Sequence, residues 1–218
     1  MTNVLILGAN GRIARIAEQR LLAETEVQLT LVLRHSGRLN IADPQREQVV
    51  EGDVTDSRLL ERVMPDQDIV YANLAGNMEL LAKNIVQAML NNQVKKLIWI
   101  TGSGLYHETP EPFSSWVEQA VGHASKEDTR RAAQIIESST LQYTIIRAAY
   151  MTDDCKVDYE LTQKGEIFKG TMVSRASVAD LVLQIIRHPN AYARTSLGIA
   201  QPGTDDMLPQ IKLMERNR

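Results

Sequence analysis

Val4-Leu5-Ile6-Leu7-Gly8-Ala9-Asn10-Gly11-Arg12-Ile13-Ala14 is an apolar run that stops at a glycine, meets a second glycine three residues on, and continues into an apolar-periodic segment. That order reads as a buried strand, a tight turn and a helix start. The turn leaves backbone N–H groups at the positive end of a helix dipole, where a pyrophosphate can sit. The third position of the spacing is Ala14, and a small residue there still lets helix and strand pack closely. The spacing alone is weak, because a tight turn without a ligand can carry it. Its place directly after an apolar strand is what favours binding.

Outward from this turn, strand and helix patterns alternate. Strand one is Asn3 to Leu7; helix one runs from about Gly11 to Ala23, with Ile13, Ala17 and Leu21 on one face. Further strands are expected at Val27 to Leu33, Val49-Val50, Asp68 to Ala72, Val94 to Ile100 and Leu141 to Arg147. Helices are expected from an Asp56 N-cap to Val63, over Met78 to Asn91, and over Ser114 to Ser138 with an interruption near Gly122. The segments Leu105 to Phe113 and Ala148 to Asp154 read as loops. After them the alternation weakens: a strand over Ile167 to Val173, a helix over Val178 to Arg187 capped by Ser177, and a short strand over Leu197 to Ala200. The tail after Pro202 is polar and carries no clear pattern.

Six alternations imply an α/β fold with a doubly wound parallel sheet joined by right-handed crossovers. The 218 residues suit a single domain over 1–218, with residues 150–218 adding a small C-terminal cap. Hydrophobic content of 44% and charged content of 23% suit an ordinary buried core. A net charge of −3 gives no basic excess, so a nucleic-acid partner is not expected. No apolar run approaches a membrane span or a signal peptide, and the single cysteine, Cys155, fits a reducing cytoplasm; no membrane association is expected. The four histidines show no metal-ligand spacing. Trp99 reads as core, and Arg130-Arg131 as the solvated face of a helix.

Ligands of such sheets bind beyond the carboxyl ends of the strands. The strand-end segments are Gly8 to Arg12, Arg34 to Arg38, Asp53-Val54, Asn73 to Gly76, Thr101 to Tyr106 and Ala148 to Thr152. The cofactor-binding set drawn from them is Gly8, Asn10, Gly11, Arg12, Ile13, Arg34, Ser36, Arg38, Asp53, Val54, Leu74, Ala75, Gly76, Thr101 and Ala149. Strand two ends without Asp or Glu from Leu29 to Gly37, the place where an NAD site holds the ribose 2′-hydroxyl. Arg34 stands there instead, with Ser36 and Arg38 behind it, and guanidinium groups match a phosphate. NADP(H) is therefore preferred, with NAD(H) as the alternative. Asp53 can accept from an adenine amino group, or serve as a helix cap.

The chain resembles the atypical short-chain dehydrogenases/reductases of the NmrA-like NAD(P)H-binding group, which includes biliverdin-IXβ/flavin reductases. The resemblance is carried by Leu5 to Gly11, Val32 to Ser36, Glu51-Gly52-Asp53-Val54, Leu141 to Arg147 and Val173 to Leu181. It implies a Rossmann-like fold with NADPH across the strand ends and the strand-two arginine on the 2′-phosphate. It also implies a serine near the end of strand five, which Ser103 matches. The wider superfamily's Tyr-x-x-x-Lys pair is absent: its positions hold Ser125 and Thr129, with Lys126 beside them and Gly122 earlier. Arg147 is followed by Ala148 where family members commonly have proline.

Two functions stay open on this reading. One is a reductase passing hydride to an electron-poor small-molecule acceptor such as a flavin, quinone or conjugated tetrapyrrole, with Ser103 and Tyr106 as catalytic candidates. His107, His123, Trp116 and Tyr150 are further candidates for lining the acceptor site. The other is an NADP(H)-sensing module acting through a protein partner or a homo-oligomer. Isomerase or dehydratase chemistry on an activated substrate is a third, weaker option.

Overall fold

Alternate residues of the first strand feed two separate cores. In the computed structural model, which describes residues 1–216, β1 (Asn3–Leu7) sends Val4 and Ile6 to one face and Leu5 and Leu7 to the other. A strand buried on both faces is an apolar run without polar alternation, and it belongs at the centre of a covered parallel sheet. The sheet is completed by β2 (Gln28–Leu33), β3 (Glu47–Glu51), β4 (Ile69–Ala72), β5 (Lys96–Gly102) and β6 (Gln142–Ala148). After two short strands, β7 (Tyr150–Thr152) and β8 (Glu160–Thr162), come β9 (Met172–Ser174) and β10 (Thr195–Ala200). The main sheet has eight strands in the order β3-β2-β1-β4-β5-β6-β10-β8, parallel throughout except β8 against β10. This is a Rossmann-like doubly wound sheet, and its direction of winding reverses between β1 and β4.

One face is covered by α1 (Arg12–Glu24), whose Ile13, Ala14, Ala17 and Leu21 are buried in the core with Val4 and Ile6. The other face is covered by α2 (Ser57–Val63) and α3 (Met78–Asn91). Asp56 caps α2, its side chain accepting from Arg58 N–H at 2.9 Å, as its place before the apolar pattern indicates. The helical stretch before β6 is broken at Gly122, where φ is +88°, into α4 (Phe113–Val121) and α5 (His123–Ser138). α6 (Arg175–Arg187) lies beside α1 in the first core, and α7 (Leu208–Arg216) closes the described chain. The last two residues of the sequence, which the expected tail and cap include, lie outside the described residues.

The C-terminal third differs in detail from the sequence reading. Residues 150–152, expected within a loop, form β7, which pairs in parallel with β9 in a separate two-stranded sheet. Strand β8 had no sequence signal, and the strand expected over 167–173 starts only at Met172. Three-residue strands are too short to show a period, and their partners lie 22 and about 38 positions away along the chain. The cap of α6 is Ser174 rather than Ser177: Ser174 Oγ accepts from Ser177 N–H at 2.9 Å, which adds a turn to the helix. Of residues 150–216, β8, β10 and α6 thus belong to the main body, while β7, β9 and α7 stand around the strand ends.

Two arginines also depart from expectation or exceed it. Arg130 is buried, donating from Nη2 to the Gly104 carbonyl at 2.9 Å, so only Arg131 of that pair is exposed. Arg147, on β6, is fully buried and pairs with Glu108 at 2.6 Å. Its Nη2 also donates to the carbonyls of Thr162 at 3.0 Å and Ser196 at 3.2 Å. Trp99 is 1% exposed and is core, as read.

Between α1 and β3, Glu18 and Glu47 are both buried. Glu47 accepts from Ala42 N–H at 2.8 Å and Asp43 N–H at 2.6 Å. Burial and the neighbouring Glu47 carboxylate push the Glu18 carboxyl up to about 7, against a weaker pull from Arg15. A raised acid holds its proton in the folded state, so its penalty builds as pH rises from about 4.5 to about 7 and is complete above. Glu18→Gln removes that penalty. Urea unfolding at pH 5 and pH 8 should show the variant gaining on the wild type by on the order of 2–3 kcal/mol between the two.

Candidate functional site

Parallel register brings β1 and β4 to the same level at Leu7 and Ala72, so Gly8 and Asn73 emerge side by side. Gly8 has φ +84°, and a Cβ there would lie 2.3 Å from the Asn73 carbonyl oxygen. At Gly11 a Cβ would lie 2.0 Å from Asn73 Nδ2. Gly8 is therefore demanded by the Asn73 backbone and its own positive φ, while a side chain at Gly11 would have to push the Asn73 amide aside. Sequence reading placed Asn73 in a strand-end loop but not among the site residues; only the pairing of β1 with β4 reveals its role. Gly8 and Ala9 N–H donate to the Val32 carbonyl at 3.0 and 3.1 Å, and Gly11 N–H to Gly8 at 3.0 Å. Gly11 is the N-cap of α1 and offers no side chain to the first turn. The first-turn N–H groups of α1, at Arg12, Ile13 and Ala14, have no intrahelical acceptor and point along the positive end of the dipole.

A groove of about 410 Å³ runs from this turn along the ends of β2, β3 and β4. Of the expected residues, Gly8, Asn10, Gly11, Arg34, Arg38, Asp53, Val54, Leu74, Ala75 and Gly76 line it, joined by His35 and Asn73. Arg34 and Arg38 are exposed at its mouth. Asp53 Oδ1 accepts from Thr55 N–H at 2.9 Å and Thr55 Oγ1 at 2.8 Å. These bonds, with a smaller attraction from Arg34, hold its carboxyl below the usual range. Asp53 is thus no helix cap, a role Asp56 takes.

Five expected residues are not part of the groove wall: Ile13, Arg12 and Ser36 point elsewhere, and Thr101 and Ala149 line a second cleft. The Ile13 side chain is buried between α1 and the sheet, leaving only its backbone at the turn. Arg12 turns away to Asp153 at 3.1 Å, and Asp153 is shared with Arg175 at 2.6 Å. Ser36 donates both its N–H, at 2.8 Å, and its hydroxyl to one oxygen of Glu51.

Thr101 and Ala149 line a second cleft of about 330 Å³ beyond the ends of β5 and β6. Its apolar wall includes Phe113, Trp116 and Tyr150: Phe113 and Trp116 stack at 5.7 Å, and Tyr150 meets Trp116 edge-on at 5.8 Å. Ser103 and Arg175 line it as well. Lys126, set aside in the sequence because it is off the expected spacing, is 4% exposed, lines the same cleft, and donates from Nζ to the Ser103 carbonyl. Burial, with the Arg130 guanidinium beside it, holds its ammonium below the usual lysine range. The hydroxyl of Thr129 is turned back onto the Ser125 carbonyl at 2.9 Å.

Tyr106 does not reach this cleft. Its hydroxyl is held by Glu137 at 2.7 Å and Ser196 at 2.9 Å, its ring lies under Arg147 and Lys164, and burial raises its pKa. It moves with the loop that Glu108 draws toward Arg147, a tertiary pull invisible in the sequence. His107 and His123 are exposed and line neither cleft. Among the described residues no three His, Cys, Asp or Glu side chains gather as metal ligands, and no helix is long and apolar enough to cross a membrane.

Residues 8–189 match the NAD(P)H-binding family. The chain belongs to that family. Comparison with curated proteins returns no match. Among solved structures, a Rossmann-fold NAD(P)-binding family protein from Shigella flexneri is 41% identical, covering 94% of this chain and 96% of that one with a TM-score of 0.81. A short-chain dehydrogenase/reductase from Veillonella parvula in complex with NADP is 29% identical, with the same coverage and a TM-score of 0.89. The anaerobilin reductase ChuY from Escherichia coli O157:H7 is similar in fold, at 21% identity and a TM-score of 0.77 over 93% of this chain and 98% of that one.

The residues present fit the nicotinamide dinucleotide that an NAD(P)H-binding protein takes. The groove and the cleft lie on either side of the winding reversal, with the uncapped α1 terminus and its two glycines between them. Gly8→Ala forces a side chain onto a positive φ and against the Asn73 carbonyl. It should lower folding stability by about 2 kcal/mol or more, read by thermal unfolding, and weaken NADPH and NADH alike, read by titration of the folded fraction.

Proposed function

We propose that this NAD(P)H-binding protein is an NADPH-dependent reductase that passes hydride to an electron-poor, conjugated acceptor such as a flavin, quinone or open tetrapyrrole. The observation that carries the reading is the aromatic cleft beside the cofactor groove, which has stacking walls and lacks the Tyr-x-x-x-Lys pair on its helix, where Ser125 and Thr129 stand. NADPH supplies a hydride when bound. Trp116 and Tyr150 offer faces on which a flat acceptor stacks, and Phe113 backs the Trp116 ring. Ser103 and Lys126 hold polar groups at the inner end of the cleft, where negative charge developing on a reduced acceptor is stabilised. The acceptor's proton comes from water, so no strong general acid is needed. The cofactor preference rests on Arg34 and Arg38 at the mouth of the groove, two guanidinium groups placed for a 2′-phosphate.

Steady-state NADPH consumption with a panel of flavins, quinones and bilins tests the reading, and the absence of turnover with every acceptor despite micromolar NADPH binding would defeat it. Lys126→Met and Ser103→Ala should each lower kcat by about tenfold or more while leaving NADPH affinity within a few-fold. Arg34→Glu should weaken NADPH by a hundredfold or so and NADH far less; equal losses would remove Arg34 as the discriminator.

A second reading, an NADP(H)-sensing protein that acts through a partner, is favoured by one contact: Asp153 joins Arg12 of the glycine turn to Arg175 of the second cleft. Cofactor phosphates that draw Arg12 away would alter that bridge. Binding without turnover, together with a cofactor-dependent change in protease sensitivity around residue 153, is its signature.

A further inference from the structure

The loop that follows β2 holds a carboxylate, that of Glu51, on two donors of one residue. Ser36 opens a single 3-10 turn, Ser36–Arg38, so its N–H faces outward at the start of that turn. Its hydroxyl points the same way, since both donate to one oxygen of Glu51, the last residue of β3. Arg34 precedes this pair of donors and Arg38 follows it, and both line the cofactor groove with His35. The β2–β3 register sets Leu33 beside Glu51, which is why the carboxylate reaches a donor three residues past Leu33. The Ser36 bonds hold the carboxyl below the usual range, so it is charged at neutral pH.

We propose that Glu51 is a built-in competitor for the 2′-phosphate subsite, and that it sets how strongly this protein prefers NADPH over NADH. The inference rests on the cofactor reading above, in which the Arg34–Arg38 loop takes the 2′-phosphate. A phosphate that uses the Ser36 N–H and hydroxyl must first displace the carboxylate, and it does so against like charge. A ribose with a free 2′-hydroxyl carries no anion to compete, so Glu51 stays on Ser36. The residue therefore taxes one cofactor and not the other. Arg34 and Arg38 supply the attraction, and Glu51 limits how much of it is realised. Glu51 is exposed and belongs to neither core, so replacing it leaves the fold intact.

Fragments of the cofactor isolate the effect without any turnover. Binding of adenosine 2′,5′-bisphosphate and of adenosine 5′-diphosphate is measured calorimetrically for the wild type, Glu51→Gln and Arg34→Ser, at physiological ionic strength where charges more than about 8 Å apart are screened. Glu51→Gln should tighten the 2′,5′-bisphosphate by roughly three- to tenfold and leave the 5′-diphosphate within twofold. No change, or an equal change for both fragments, overturns the proposal. Arg34→Ser keeps the two failures apart. If it weakens the 2′,5′-bisphosphate selectively while Glu51→Gln does nothing, the cofactor reading stands and the competitor is wrong. If it affects both fragments alike, the loop is not the phosphate subsite and both ideas fall.

Discussion

The register of β1 against β4 is the constraint on which the site depends. Leu7 lies beside Ala72, and the next residues, Gly8 and Asn73, leave the sheet together. The Asn73 carbonyl then occupies the space a Gly8 side chain would need, and its amide the space of a Gly11 side chain. A glycine at position 8 accepts φ +84°, which folds the chain back so that Gly8 and Ala9 bond to Val32 on the neighbouring strand. The chain next re-enters a helix whose N-cap has no side chain, so the first-turn N–H groups stay open. Had the N-cap been Ser or Asp, its side chain would have taken one of those donors, and the turn would have gained stability at the expense of an open N–H. The open helix start thus follows from close pairing of two parallel strands, which leaves no room for a side chain at Gly8 and little at Gly11.

The second cleft is organised by buried charge. The turn after β5 carries three successive carbonyls, at Ser103, Gly104 and Leu105, and α5 answers them with Lys126 and Arg130, four residues apart on one helical face. Glu108 closes the other side, accepting from Gly104 N–H at 3.1 Å and Tyr106 N–H at 2.7 Å while paired to Arg147. A buried ion pair of this kind is weak grounds for net stability, since desolvation offsets much of the attraction, but removing one partner alone strands the other. Its effect here is geometric: it ties the loop to β6 and, through Arg147, to β8 and β10. That fixes Ser103 at the cleft and carries Tyr106 away from it.

This division explains what the sequence disclosed. The glycine turn, the strand ends, the Asp56 cap and the break at Gly122 are local, and period or turn chemistry reveals them. The groove side was correspondingly legible: the structure brings ten of the expected residues into one wall. The cleft side was not, because its arrangement depends on contacts between distant segments. Tyr106 was selected for lying shortly after a strand end, yet Glu108 and Ser196 decide where it goes. Lys126 was passed over because it missed the expected spacing, although one helical turn suffices to bring it to Ser103. Arg130 reads as solvated from its neighbour Arg131, and only the packing of α5 on the β5 turn separates the two. The contacts of Asn73 and Glu51 are not legible in the sequence, since strand register gives each its neighbours.

Magnitudes weigh between the two proposed functions. A sensor needs cofactor binding to shift a second equilibrium, and it can shift it only by the difference in affinity for the two states. The link available is the Arg12–Asp153 pair, both side chains 61% exposed. Exposed pairs of this kind are worth at most about 1 kcal/mol, a shift of roughly fivefold in a population. Asp153 also keeps its shorter bond to the buried Arg175 whether or not Arg12 leaves. Moving an equilibrium from mostly one state to mostly the other takes on the order of 5 kcal/mol. The bridge is therefore too weak to act as a switch by itself. A cleft with packed aromatic walls and two buried cations beside the groove serves an acceptor better than it serves a signal, and on that ground the reductase reading is favoured.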